Sequence, residues 1–184
     1  MAVEEPPYKT VLADGAFEVR DYPALTVAQV TVPGSQNQAA NTGFRLLAHY
    51  IFGGNTGKQS IAMTAPVALR PAGERIAEAP VAQMADARSW TVQFVMPGGR
   101  DLANLPRPDD PRVKLGTIPP TREAVLRFSG WAFAGPVKAK TAQLMALVAS
   151  HHLHPEGGVS LAQYDPPWTL PFLRRNEVMI PVAR

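Results

Sequence analysis

Alternating apolar and polar positions open the chain and a three-to-four spacing follows, so strands precede a helix. Tyr8 to Leu12 and Phe17 to Tyr22 read as strands flanking Ala13-Asp14-Gly15-Ala16, whose Asp-Gly pair suits a tight reversal. A third strand, Leu25 to Val32, follows Pro23 and carries apolar residues at several alternate positions. Ser35 offers a cap to a helix from about Gln36 to Phe52, with Ala40, Phe44, Leu47 and Ile51 on one face. Gly53-Gly54-Asn55 ends it with residues that accept unusual φ values.

The same order of elements recurs. Val113 to Ile118 and Glu123 to Phe128 read as strands around Pro119-Pro120, and a second helix is expected from about Pro136 to Ala149, with Val137, Thr141, Leu144 and Val148 inward. Each helix precedes two further strands, Ile61 to Arg70 and Trp90 to Met96, then Val159 to Tyr164 and Glu177 to Val182. The pattern predicts one domain over residues 1–184, with internal halves at about 8–100 and 111–184, each helix covering a sheet that cannot otherwise bury its apolar face. Pro71 through Ala87 and Pro97 to Asp110 read as exposed excursions, and Pro66 marks an edge, a bulge or a strand entrance.

Composition removes several function classes. With no cysteine there is no thiol nucleophile, disulfide or thiolate metal site. A net charge of +3 with scattered Lys and Arg lacks the basic stripe of a phosphate-neutralising surface, so no nucleic-acid partner is expected. Residues 1–10 hold no basic n-region with an apolar h-region, and no stretch spans a bilayer; the expectation is a cytoplasmic protein without integral membrane association. No Gly-rich phosphate loop and no His-Glu-x-x-His motif is present, which argues against an enzyme. Glu18 and Glu177 could form an acid pair, but salt bridging with Arg20 or Arg175 is the stronger reading.

The chain resembles the SOUL haem-binding protein family. The resemblance is carried by Phe17-Glu18-Val19-Arg20-Asp21-Tyr22-Pro23, Gly43-Phe44-Arg45-Leu46-Leu47 with Tyr50-Ile51, Asn55, Ile61-Ala62-Met63-Thr64-Ala65-Pro66-Val67, Phe128-Ser129-Gly130, Tyr164 to Trp168 and Arg174 to Val178, over nearly the whole chain. It implies an α+β, GyrI-like fold: a distorted antiparallel β-barrel of two pseudo-symmetric halves, flanked by two helices. It also implies a binding protein for haem, another tetrapyrrole or a similarly amphipathic small molecule.

On the outer side of the first helix, Thr42, Arg45, Leu46, His49 and Tyr50 combine cationic and apolar groups. Leu46 and Tyr50 could pack on a macrocycle, Arg45 could pair with a propionate, and His49 could hydrogen-bond or ligate iron. In animal relatives the resemblance places a basic side chain where His49 stands, whereas some have a His where this chain has Asp21, a poor haem ligand. Met63 is a soft contact or a core filler. Trp168 and Phe172 could cover the pocket mouth with Arg174 free for an anionic group, the rigid Asp165-Pro166-Pro167 run aiming the indole. The same tail, with its last strand at Asn176 to Val182, is equally a structural clasp whose loss from Tyr164 onward prevents folding. His151, His152 and His154 cluster without a carboxylate or cysteine to complete a metal site, and the metal stays unassigned. The alternative is a module that docks a protein partner, or a groove with weak hydrolase-like activity.

Overall fold

The local patterns become nine strands and three helices in a computed structural model that describes residues 3–73 and 80–184. The strands are β1 (Lys9–Asp14), β2 (Phe17–Tyr22), β3 (Leu25–Pro33), β4 (Val67–Pro71), β5 (Ser89–Val95), β6 (Lys114–Ile118), β7 (Thr121–Phe128), β8 (Ser160–Gln163) and β9 (Asn176–Pro181). Helix α1 (Gln36–Ile51) starts where Ser35 and Gln38 form a capping box, each side chain satisfying the other's backbone N–H. At its far end buried Asn55 donates to the carbonyls of Tyr50 and Gln59, both at 2.8 Å, which ties the helix end to its loop. Helix α3 (Ala134–Ser150) begins two residues before the expected Pro136 and buries the expected Val137, Thr141, Leu144 and Val148.

A third helix, α2 (Pro80–Asp86), occupies part of the stretch read as an excursion, and packs on α3 and β4 through buried Met84. The expectation of two helices is corrected to three. Residues 74–79 of that excursion lie outside the described residues. Strand β4 begins at Val67 rather than Ile61, and Pro66 stands at its entrance, because proline cannot donate to the ladder of a strand paired on both sides.

All nine strands join one antiparallel sheet in the order β1-β2-β7-β9-β8-β4-β5-β3-β6. Outward from the β4–β8 seam the order is β5, β3, β6 on one side and β9, β7, β2, β1 on the other. Strand β2, which precedes β3 in the chain, pairs with β7, and β6, which precedes β7, pairs with β3. The expected barrel is corrected: the sheet is open, with β1 and β6 at its edges, because neither edge strand meets the other in a ladder.

Helix α1 lies against β5 and β3, and α3 against β7 and β9. The approach of α1 depends on Gly43, since a Cβ there would come within 2.6 Å of Val92 Cβ. The core holds Val30, Val92, Phe94, Leu69, Leu161, Val178 and Leu126 beside Leu47 and Leu144 of the helices. Strand alternation turns their neighbours Glu18, Arg20, Gln29, Thr31, Thr91, Gln93 and Glu177 to the opposite face, where Thr31 meets Thr91 at 3.2 Å and Gln93 donates to Gln29 at 3.1 Å.

Candidate functional site

On α1, Arg45 and His49 are exposed one turn apart, with Thr42 and Leu46 half-buried between the outer face and the core. Neither Arg45 nor His49 has a side-chain hydrogen bond or ion pair among the described residues. The His49 ring lies over Gly54, where a Cβ would come within 2.5 Å of Nε2, so this glycine clears the space the imidazole occupies. Nearby, hydrogen bonds from Arg112 hold the Asp110 carboxyl down to about 2, with His49 adding a small favourable field.

Tyr50 does not belong to that outer face. It is 1% exposed and its hydroxyl donates to the Pro106 carbonyl at 2.9 Å. The inward face runs through Gln36, Ala39, Gly43, Leu47, Tyr50 and Ile51, while Ala40 and Phe44, expected in the core, are half-buried. The small residue, not the large one, marks the closest approach to the sheet, and that turns Tyr50 inward. Met63 is half-buried against the core.

At the other end of α1, buried Gln36 donates to the carbonyl of Ala132 at 2.7 Å. Ala132 lies between two aromatics that no sequence element claimed, Trp131 and Phe133, stacked at 5.0 Å and 12°. Gly130 N donates to Pro171 O at 2.8 Å, joining this segment to a 3-10 turn at Pro171–Leu173. Together the two loops display Trp131 (48% exposed), Phe133 (47%), Trp168 (83%), Leu170 (55%), Phe172 (69%) and Leu173 (64%). This is an apolar shelf on the surface of the protein. The signal for it in the sequence was an aromatic pair in a stretch with neither strand nor helix periodicity.

Arg174 is corrected from a free cation to a clasp. Its Nε donates to Thr169 O at 2.8 Å, Nη2 donates to Pro167 O, and the guanidinium stands 4.8 Å from the Trp131 ring centroid. Only Nη1 is left without a hydrogen bond, and no carboxylate pairs with this cation among the described residues. Residues 36 and 49 are about 20 Å apart along α1 at 1.5 Å per residue, so His49 stands at the end of the helix away from Ala132 and the tail residues. Among the described residues no hydrogen bond, ion pair or ring contact links Thr42, Arg45, Leu46, His49 or Met63 to Trp168, Phe172 or Arg174.

On the helix-free face, charge is buried instead. Arg20 (3% exposed) donates from Nη1 and Nη2 to Glu177 (0%) at 2.9 and 3.1 Å, and from Nε to Glu18 at 2.6 Å. Arg175 reaches Glu177 Oε1 from Nε and Nη2 at 3.1 and 3.0 Å, and the Tyr164 hydroxyl donates to Glu177 Oε2 at 2.7 Å. Burial alone raises the Glu177 carboxyl, but hydrogen bonds and charge from Arg20, the Tyr164 hydroxyl and the charge of Arg175 bring it below its ordinary value. Burial pushes the Tyr22 phenol up to about 12. The N-terminal segment straps this face, with Glu5 on Arg175 Nη1 at 3.0 and 3.1 Å and the Tyr8 ring 4.3 Å from the Arg20 guanidinium carbon. Glu18 is thus salt-bridged to Arg20, and Glu177 to Arg20 and Arg175. His151 meets Asp14 at 3.3 Å and stacks on Phe17 at 5.0 Å, and no group of three metal-ligating side chains occurs among the described residues.

The SOUL heme-binding protein family matches residues 3–181. No curated protein matches the chain by sequence. Among solved structures, a hydrolase from Listeria innocua is similar at a TM-score of 0.59 and 13% identity, covering 94% of each chain. The C-terminal domain of EcmrR reaches 0.60 at 13% identity over 96% of this chain and 98% of that one. EcmrR in a DNA complex reaches 0.64 at 12% identity over 91% of this chain and 57% of that one. Such identities carry the fold alone. The DNA is a partner of that protein, and it sets a fold-level likeness against the expectation of no nucleic-acid partner. No helix among the described residues is long and apolar enough to cross a membrane.

Proposed function

Because the chain belongs to the SOUL heme-binding protein family, we propose that it binds haem, or a tetrapyrrole or planar amphiphile like it, as a binding protein rather than an enzyme. The observation that carries this reading is the shelf, six large apolar side chains held beside a cation that pairs with no carboxylate among the described residues. Removing the faces of Trp168, Phe172 and the Trp131–Phe133 stack from water would drive association, and the Nη1 edge of Arg174 suits an acidic substituent. The shelf segments, residues 129–140 and 166–175, contain no histidine. They fit the macrocycle and its acids but provide no imidazole for iron. His49, with Arg45, Leu46 and Thr42, is the separate candidate for ligation at the other end of α1.

Haemin titration followed in the Soret band tests the reading. A saturable change at near-stoichiometric protein is expected, weakened about tenfold or more in a Trp168→Ala/Phe172→Ala double variant. Loss of binding in His49→Ala with the double variant unaffected would move the site to the outer face of α1. No saturable change in the unmodified protein would end the proposal.

A further inference from the structure

Beyond ligand binding, we propose that the shelf docks the protein on the surface of an anionic lipid bilayer. The two loops present only Trp, Phe and Leu among their large exposed side chains, the residue types that settle at the boundary between acyl chains and headgroups. Along the two segments that carry the shelf the charge has one sign. No Asp or Glu occurs from Ser129 to Ser150 or from Pro166 to Asn176, whereas Lys138, Lys140, Arg174 and Arg175 do. Arg175 is turned to Glu177 and Lys140 to Gln143, which leaves Arg174 on the Trp131 ring and Lys138, just over one turn into α3, as the cations of these segments nearest the shelf.

Helix α3 strengthens this asymmetry. Its N-cap is Phe133 itself, with no side-chain cap and no acidic residue in the first turn, so the positive end of the helix opens at the shelf uncompensated. An apolar patch on segments whose charged residues are all cationic complements phosphatidylserine-type headgroups around an apolar interior. The loops are held in place by Gly130 N to Pro171 O, Asn176 Nδ2 to Gly130 O at 3.1 Å and the Arg174 clasp, so docking needs no unfolding. The inference stands on this geometry and does not rest on the tetrapyrrole reading.

The test is co-sedimentation of the full chain, without tetrapyrrole, with vesicles of phosphatidylcholine alone and of phosphatidylcholine with phosphatidylserine. Binding to the mixed vesicles is expected, weaker at high salt, with a blue shift of tryptophan emission because Trp131 and Trp168 leave water while Trp90 is already buried. Trp168→Ala/Phe172→Ala should lower binding about tenfold or more, and Lys138→Ala/Lys140→Ala should remove the preference for phosphatidylserine. Unchanged thermal melts show that the variants are folded. Failure to sediment with mixed vesicles overturns the proposal, as does undiminished sedimentation of the aromatic double variant. A dimer in size exclusion that the same double variant dissolves would assign the shelf to a second copy of the chain and equally overturn it.

Discussion

Arg174 and Arg175 are neighbours in the chain and belong to opposite environments. Arg175 points to the helix-free face, where two guanidiniums, a phenol and the Glu177 carboxylate are packed away from water. Arg174 lies over Trp131 in a surface of exposed aromatics and leucines. One region buries charge and the other exposes apolar surface, the reverse of what each side chain's solvation prefers. The buried cluster resolves this internally, because every charged group has a partner of opposite sign. The shelf has no such resolution among the described residues, and that difference is what marks it as a candidate binding surface.

The comparison makes graded predictions. Truncation from Tyr164 onward has the largest effect: it removes β9 from between β7 and β8 together with Glu177, and the remainder should show no cooperative melt by circular dichroism and rapid proteolysis. Next, Glu177→Ala leaves buried Arg20 with only the half-buried Glu18 and half-buried Arg175 with only the exposed Glu5, and should cost about 3 kcal/mol in urea unfolding. Tyr164→Phe removes one hydrogen bond to that carboxylate and should cost about 1–3 kcal/mol by the same measurement.

The acid limb of stability tests the same cluster. The folded carboxyl of Glu177 lies below its ordinary value of 4.5, so its contribution is complete above that pH and is lost as pH falls through the depressed folded value. Glu177→Gln should flatten that limb of a melting-temperature profile. At the small end, Trp168→Ala/Phe172→Ala should change stability by only about 0.5 kcal/mol, as substitutions of exposed groups do, while ligand or vesicle binding falls. A large loss of stability there would make the shelf a clasp and erase the contrast.

What could be read in the sequence divides along the same line. Strand alternation, the Ser35 cap and the pairing of Glu177 with Arg20 and Arg175 depend on local pattern or simple charge, and the structure has them. Tyr50 was misplaced because glycine carries no hydrophobic signal, so Gly43 could not announce that it sets the helix orientation. The clasp of Arg174 is invisible in the sequence because its partners are the carbonyls of Pro167 and Thr169, a group that every residue possesses. Trp131 and Phe133 were passed over because their significance lies in a meeting with residues 168–173 that no local rule encodes. The open sheet was missed for the same reason, since strand partners distant in the chain decide closure.

The exchange of β2 and β6 between neighbouring strand sets has a consequence for how the protein is made. Phe17 pairs with Leu126, so β2 leaves the ribosome with β1 beside it but long before its second sheet partner, β7, exists. Strand β3 likewise waits for β6, although β5 can pair with it first. A nascent chain that ends after β5 thus carries an unmatched strand ladder, and the buried Arg20 of the finished protein is still in water, awaiting Glu177 of β9. Closing such long loops slows folding relative to local contacts. The topology makes β9 the trigger of completion: residues 176–181 must be made before the centre of the sheet can form.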